Sequence, residues 1–397
     1  MRRQPKITAI GLGLLLTLAG SARAATYEEG VAAFKAGRWE EAIRQLQPVV
    51  AEREKAGQKW AGGHFLLGQA LLKANRNSEA VDQLRKAYDL DPANVGHQLR
   101  LGEAYAAQGK YGSAVSFLGK INPASLPKPM QAFLGQLLGM AYLKTGDGGR
   151  AQAQLANAAT AASGTRSEAG IRFQLGTTAY NNGDTSTAVA ALGRATQLDP
   201  SDMAKQDAYA KALIRQGRET KNSVAKRASY QKAATAAARV ASSKPNYDNV
   251  MRLGEAQLGA ERFDDAISSF QSAAGKNSGD WLPHYYIGQA YTAKGQYVSA
   301  QGALKTSLDK SSGDNEKKVW NQLAFVYEKQ KSYRSAQDAY TRAGNAAASA
   351  RAKDNAEIAE FNQDVDAENR RIKEMKEEEE AIRKALEDLA TGRPPRR

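Results

Sequence analysis

Small and large apolar residues recur along this chain at fixed intervals. Glycine or alanine stands in a helix-forming, apolar setting at Gly30, Gly68, Gly102, Gly139, Gly176, Gly254, Gly288 and Ala324, with several spacings of 34 residues and others of 36 to 38. Twelve places beyond each stands an alanine: Ala42, Ala80, Ala114, Ala151, Ala188, Ala266, Ala300 and Ala336. Sixteen places beyond stands a large apolar side chain: Leu46, Leu84, Leu118, Leu155, Leu192, Phe270, Leu304 and Tyr340. Seven places beyond, glycine fills five of the eight positions (Gly37, Gly109, Gly146, Gly183 and Gly295) and Asn75 a sixth. Those residue types end a helix by turning the chain. Each unit is thus predicted to be a helix, a tight turn and a second helix. The small residue on the first helix and the alanine on the second let two backbones approach. The large residue four places past that alanine lies on the same helical face and fills the space beside them. Tyr105, Tyr142, Tyr291 and Tyr327 follow three places after the small residue of their units, and Leu90-Asp91-Pro92 and Leu198-Asp199-Pro200 close two second helices.

This pattern resembles the tetratricopeptide repeat superfamily over about residues 27–343. The clearest unit runs from His64 to Pro92, with Leu67, Gly68, Ala80, Leu84, Ala87 and Pro92 in family places; the unit with Gly288, Tyr291, Gly295, Tyr297 and Ala300 matches as well. The resemblance implies an all-α, right-handed superhelical solenoid of about nine helix-turn-helix repeats, with a concave partner-binding face lined by first helices. Residues three before, one after and four after the small residue form the stripe for that face. They are Phe65, Gln69 and Leu72 in the second unit, Phe173, Thr177 and Tyr180 in the fifth, and Tyr285, Gln289 and Thr292 near the end. Aromatic rings beside amides suit a bound peptide or helix. For Phe65 and Phe173, packing onto the neighbouring repeat is an equal alternative. Some family members clamp a terminal carboxylate with Lys and Asn on this stripe; Phe65 and Gln69, or Tyr285 and Gln289, stand there instead, so that docking mode is not expected.

Two features interrupt the repeats. Pro123, Pro127 and Pro129 must break a helix, which separates units one to three (25–122) from units four to nine (123–345) and places a bend or division near residue 125. The unit at 203–245 is irregular: Ala210 holds the small place, Gly217 the turn, and the second helix is expected to resume near Ser229 with Ala233, Ala237 and Val240 on its face. The polar, basic stretch 218–228 either lengthens the helices or forms a loop. Past residue 345 tryptophan and tyrosine vanish and a charged stretch, 346–390, begins. Its apolar residues Ile358, Phe361, Val365, Ile372, Met375, Ile382, Leu386 and Leu389 keep a three-four heptad broken only by Glu368 and Glu379. That spacing predicts either a coiled-coil helix, pairing two copies of the chain through 358–389, or a long helix that caps the solenoid. The basic, proline-containing tail 391–397 is expected to be disordered.

Hydrophobic residues make up 42% and charged residues 25% of 397, as in soluble globular proteins, which argues against wholesale disorder. The absence of cysteine removes disulfides, thiolate metal sites, cysteine nucleophiles and lipid attachment at a cleavage-site cysteine. Arg2, Arg3 and Lys6, an apolar run over 7–19, and Ala22-Arg23-Ala24 form the three parts of a secretory signal peptide at 1–24, cut between Ala24 and Ala25. The run is short for a membrane span, and Gln4-Pro5 after the arginine pair favours the general secretory route over the twin-arginine one. Export across the inner membrane to the periplasm or envelope follows, with no transmembrane segment left after cleavage. Of the net charge of +14, the signal peptide carries +4, residues 351–390 carry −5 and the tail +3, leaving +12 on the repeats. A solvated surface accounts for much of that charge, and an anionic envelope polymer is the alternative partner it suggests.

Catalytic chemistry finds little support. His64 and His284 both stand four places before a repeat glycine, which marks a packing role, and with His97 they make up all the histidines. No His-Glu-x-x-His pairing, nucleophile elbow or phosphate-binding loop is present. Glu40-Glu41 and Asp264-Asp265 open second helices, where negative charge meets the helix dipole. The expected protein is therefore an exported, non-enzymatic scaffold that uses no cofactor or metal, binds proteins or peptides, and does not bind nucleic acid.

Overall fold

The computed structural model describes residues 26–390. The signal peptide, its cut between Ala24 and Ala25, and the 391–397 tail lie outside the described residues. The chain divides into two compact units, one ending at Leu198 and the next beginning at Asp199. The first unit contains five helix pairs: α1 (Tyr27–Lys35) with α2 (Trp39–Lys55), α3 (Ala61–Lys73) with α4 (Asn77–Leu90), α5 (Val95–Ala107) with α6 (Tyr111–Leu118), α7 (Lys128–Lys144) with α8 (Gly148–Ala161), and α9 (Glu168–Asn181) with α10 (Thr185–Leu198). The second contains four: α11 (Met203–Glu219) with α12 (Ser223–Ser243), α13 (Tyr247–Gly259) with α14 (Phe263–Lys276), α15 (Leu282–Ala293) with α16 (Tyr297–Leu308), and α17 (Asp314–Lys329) with α18 (Tyr333–Arg342). A single helix, α19 (Ala346–Ala390), follows. No strand occurs among the described residues.

The recurring triplet builds the core of each pair. All eight of the alanines on the second helices are fully buried, as are the seven Leu and Phe residues four places beyond them; Tyr340 is nearly so. Each large side chain lies against the small residue of its own first helix: a methyl group on Gly30, Gly68, Gly139 or Gly288 would fall 2.6 Å from a carbon of Leu46, Leu84, Leu155 or Leu304. Such closeness leaves glycine as the residue that fits without movement. Seven places past each of the eight small residues the chain takes positive φ, from Gly37 (73°) and Asn75 (62°) to Glu261 (62°) and Lys331 (59°). The turn geometry is therefore common to these pairs even where glycine is absent.

The irregular unit resolves into a pair of long helices. α12 starts at Ser223, six residues before the position expected from the apolar pattern, because the Asn222 side chain accepts a hydrogen bond from the Ala225 amide (2.9 Å) and caps it. Gly217 makes no turn. It is buried within α11, and its missing side chain makes room for Tyr230, which also covers Gly259 of α13. Near residue 125 the proline segment forms a short 3-10 turn, Pro123–Ser125. Leu126 behind it joins Leu118, Ile121 and Leu134 in one apolar cluster, so α6 and α7 stay packed and the division falls instead at Leu198 and Asp199.

First helices form the inner layer of each unit. α3 touches α5 and α5 touches α7 in the first; α11, α13, α15 and α17 touch in succession in the second. The start of α19 caps the last pair, with Ala348 and Ala352 packed on Ala336 and Tyr340. Arg351–Glu328 (3.0 Å) and Arg334–Glu360 (2.6 Å) add ion pairs at that junction.

Candidate partner-binding face

The nine stripe residues all lie on first helices, and all are partly buried. Their surroundings differ. Phe65 packs at a tilt against His97 of the next pair, with ring centres 4.7 Å apart, and on the cluster around Leu84 and Leu101. Leu72 packs on that cluster and on the one before it. Phe65 and Leu72 thus join neighbouring repeats. Tyr285 likewise packs between Trp281, Tyr286 and the cluster around Leu304 and Val319. Burial pushes its hydroxyl pKa up. The Thr177 hydroxyl donates to the Phe173 and Gln174 carbonyls of its own helix (3.0 Å each), and the Thr292 hydroxyl to Gly288 (2.7 Å). Phe173, Tyr180, Gln69 and Gln289 remain partly accessible beside them.

Apolar groups open to solvent occur at the same register in two other pairs. Counted from Gly139, the stripe is Gln136, Met140 and Leu143, with Met140 45% and Leu143 41% exposed. Gln136 donates to Gln174 of α9 (3.1 Å), and the Gln174 amide also approaches the Met140 sulfur (4.0 Å). Counted from Ala324, the stripe is Asn321, Phe325 and Glu328, with Phe325 39% exposed. Asn321, Gln322, Phe325, Asn345 and Arg351 line a groove of 540 Å³ at the α17–α19 junction. There Asn345 donates to Asn321 (2.9 Å), and Glu328 is held by Arg351 and by the Tyr340 hydroxyl (3.0 Å). The spacing rule already pointed to both sets. Their exposure depends on what the neighbouring repeat offers to cover them.

Local electrostatics hold these helices in place. Glu168 at the start of α9 is 1% exposed and accepts from the Gly164 amide (2.8 Å), Arg172 (2.7 Å) and Arg194 (3.2 Å). Those contacts, the Gly164 amide first, hold its pKa down to about 2 against the burial that opposes them. His64 is buried with Nδ1 at 2.8 Å from the Gln83 amide oxygen, and His97 is buried beneath Phe65, so both serve packing. Burial lowers the His284 pKa. Positive charge gathers on α12 and the turn before it, where Lys221, Lys226, Lys232 and Arg239 are exposed and α12 carries no acid. Arg227 there pairs with Glu261 (3.0 Å). Among the described residues no group of three His, Cys, Asp or Glu could hold a metal ion, and no helix is long and apolar enough to cross a membrane.

No curated protein matches the sequence. Among solved structures, MamA of Desulfovibrio magneticus RS-1, from residue 41 onward, is similar over 45% of this chain and 94% of its own, at 18% identity and a TM-score of 0.37. MamA of AMB-1 is similar over 47% and 95%, at 21% identity and a TM-score of 0.38. The C-terminal part of a TPR repeat-containing protein of Cytophaga hutchinsonii is similar over 65% and 98%, at 13% identity and a TM-score of 0.44. The sequence profile of the tetratricopeptide repeat matches residues 65–120, 137–203, 222–280 and 251–315, together more than half of the chain. With the paired helices, the glycine-to-leucine contacts and the shared turn, this chain belongs to the tetratricopeptide repeat family.

Proposed function

We propose that the protein is an exported scaffold of the periplasm or cell envelope that binds segments of other proteins on its inner helix layers. The observation that carries this reading is the placement of Met140, Leu143 and Phe325. Each is an exposed apolar side chain at a stripe position; Met140 lies beside the Gln174 amide, and Phe325 shares a groove with Asn321 and Gln322. Apolar anchors give affinity when a partner covers them, and amides can pair with the backbone of an extended segment. Export rests on the signal-peptide pattern at 1–24. Homodimerisation through 358–389 belongs to the same reading, since the heptad stripe there is exposed.

A second reading, binding of an anionic envelope polymer, is favoured by one observation: the exposed cations of α12 and the turn before it, with no acid on α12. A salt titration separates the two. Polymer binding rests on counterion screening and weakens steeply between about 0.05 and 0.5 M salt, whereas an apolar groove loses little. Binding that persists in high salt and is lost in M140D/L143D supports the scaffold. Binding that collapses with salt and is lost in K232E/R239E instead supports the polymer.

A further inference from the structure

The α19 stripe is the largest set of exposed apolar side chains in the described residues. Ile358 is 58% exposed, Phe361 68%, Val365 40%, Ile372 38%, Met375 57%, Ile382 61% and Leu386 60%. With Glu368 and Glu379 they fill successive a and d positions of one heptad register: Ile358, Val365, Ile372, Glu379 and Leu386 at a, and Phe361, Glu368, Met375 and Ile382 at d. A strict 3.5-residue repeat calls for a partner helix with the same repeat. A second copy of α19 supplies one.

Resting on the homodimer reading above, we propose that two copies pair through α19 as an antiparallel coiled coil centred between Lys373 and Glu374. In that register Phe361 meets Leu386, Val365 meets Ile382 and Ile372 meets Met375 of the second copy, with Glu368 facing Glu379. The flanking positions decide the direction. Antiparallel pairing puts Arg371 against Glu378 twice and sets Lys376 and Arg383 against Asn369 and Asn362, with no like charges apposed at the flanking positions. Parallel pairing matches Glu378 with Arg383 but also sets Arg371 against Lys376, which cancels the gain. It would also bring two basic repeat regions to the same end of the coil, where they repel. The Glu368–Glu379 layers weaken the dimer in either direction, so the pairing is reversible.

A single substitution distinguishes the directions. E379K turns both Glu–Glu layers of the antiparallel dimer into Glu–Lys layers; in a parallel dimer it leaves Glu facing Glu and creates Lys facing Lys. Sedimentation equilibrium of the full mature chain should show E379K dimerising about tenfold more tightly than the parent. The parent contains no cysteine, so single-cysteine variants report contacts cleanly. I372C mixed with M375C should form a disulfide-linked dimer, and I372C alone should not. Self-linking of I372C with no tightening by E379K overturns the antiparallel register but keeps the homodimer. Monomers throughout, in the parent and in E379K, overturn both and leave the inner-layer binding reading untouched.

Discussion

Leu84 occupies the space that Gly68 leaves open: a methyl group on Gly68 would stand 2.6 Å from Leu84 Cγ and 3.2 Å from the Leu84 amide nitrogen. The contact joins the two helices of one pair, and the same contact recurs wherever the glycine and leucine do. G68A should therefore cost about 1 to 3 kcal/mol by overpacking, and L84A about 2 to 5 kcal/mol by opening a cavity. The double variant should cost less than the two together, because the added methyl enters the space left by the leucine. Urea denaturation of the four proteins measures this coupling. Gly302 gives the contrast: nothing lies within 4 Å of a methyl group placed there in α16, so G302A should stabilise by about 0.5 to 1 kcal/mol.

Lys331 holds the turn position that glycine holds in five other pairs, with φ at 59°. A side chain in that conformation costs about 1 kcal/mol or more. K331G should remove the cost, and because Lys331 is exposed it should lose no packing. The melting temperature of the second unit should rise by about 2 to 4 °C. A fall would mean that the lysine makes a contact worth more than the strain.

Glu168 links stability to pH. Its carboxyl pKa sits at about 2 in the folded chain and near 4.5 when unfolded, so its contribution is complete above the unfolded value and is lost as pH falls through the folded one. The shift corresponds to about 3 kcal/mol for this buried group. E168Q should lower the stability of the first unit by about that amount at pH 7. The gap between parent and variant should narrow below pH 4.5 and nearly close near pH 2. Denaturation midpoints across that range give the comparison.

Eight of the nine pairs were legible in the sequence because a small residue and the large one it admits leave a fixed interval behind; the pair at 203–245 lacks that interval. The start of α12 was not. Residues 222–228 carry no apolar period, and a single Asn222 cap decides where the helix begins. Gly217 misled for a related reason: a glycine seven places past Ala210 resembles a turn, yet it is the space beneath Tyr230, a partner that no local interval reveals. On the stripe, counting found the positions but not their exposure. Phe65 is covered because His97 of the next pair reaches it, whereas Met140 and Leu143 remain open.

The inner-layer account predicts where a partner touches. M140D/L143D should lower stability by about 1 to 2 kcal/mol, since both side chains are roughly half exposed, leaving the chain folded, yet should abolish partner capture. The most direct measurement places a photo-crosslinking amino acid at position 143 on α7, or at the exposed position 153 on the paired helix α8, in the native cell. The account predicts a discrete protein adduct from position 143 and none from position 153. No adduct from 143, or equal adducts from both, would contradict it.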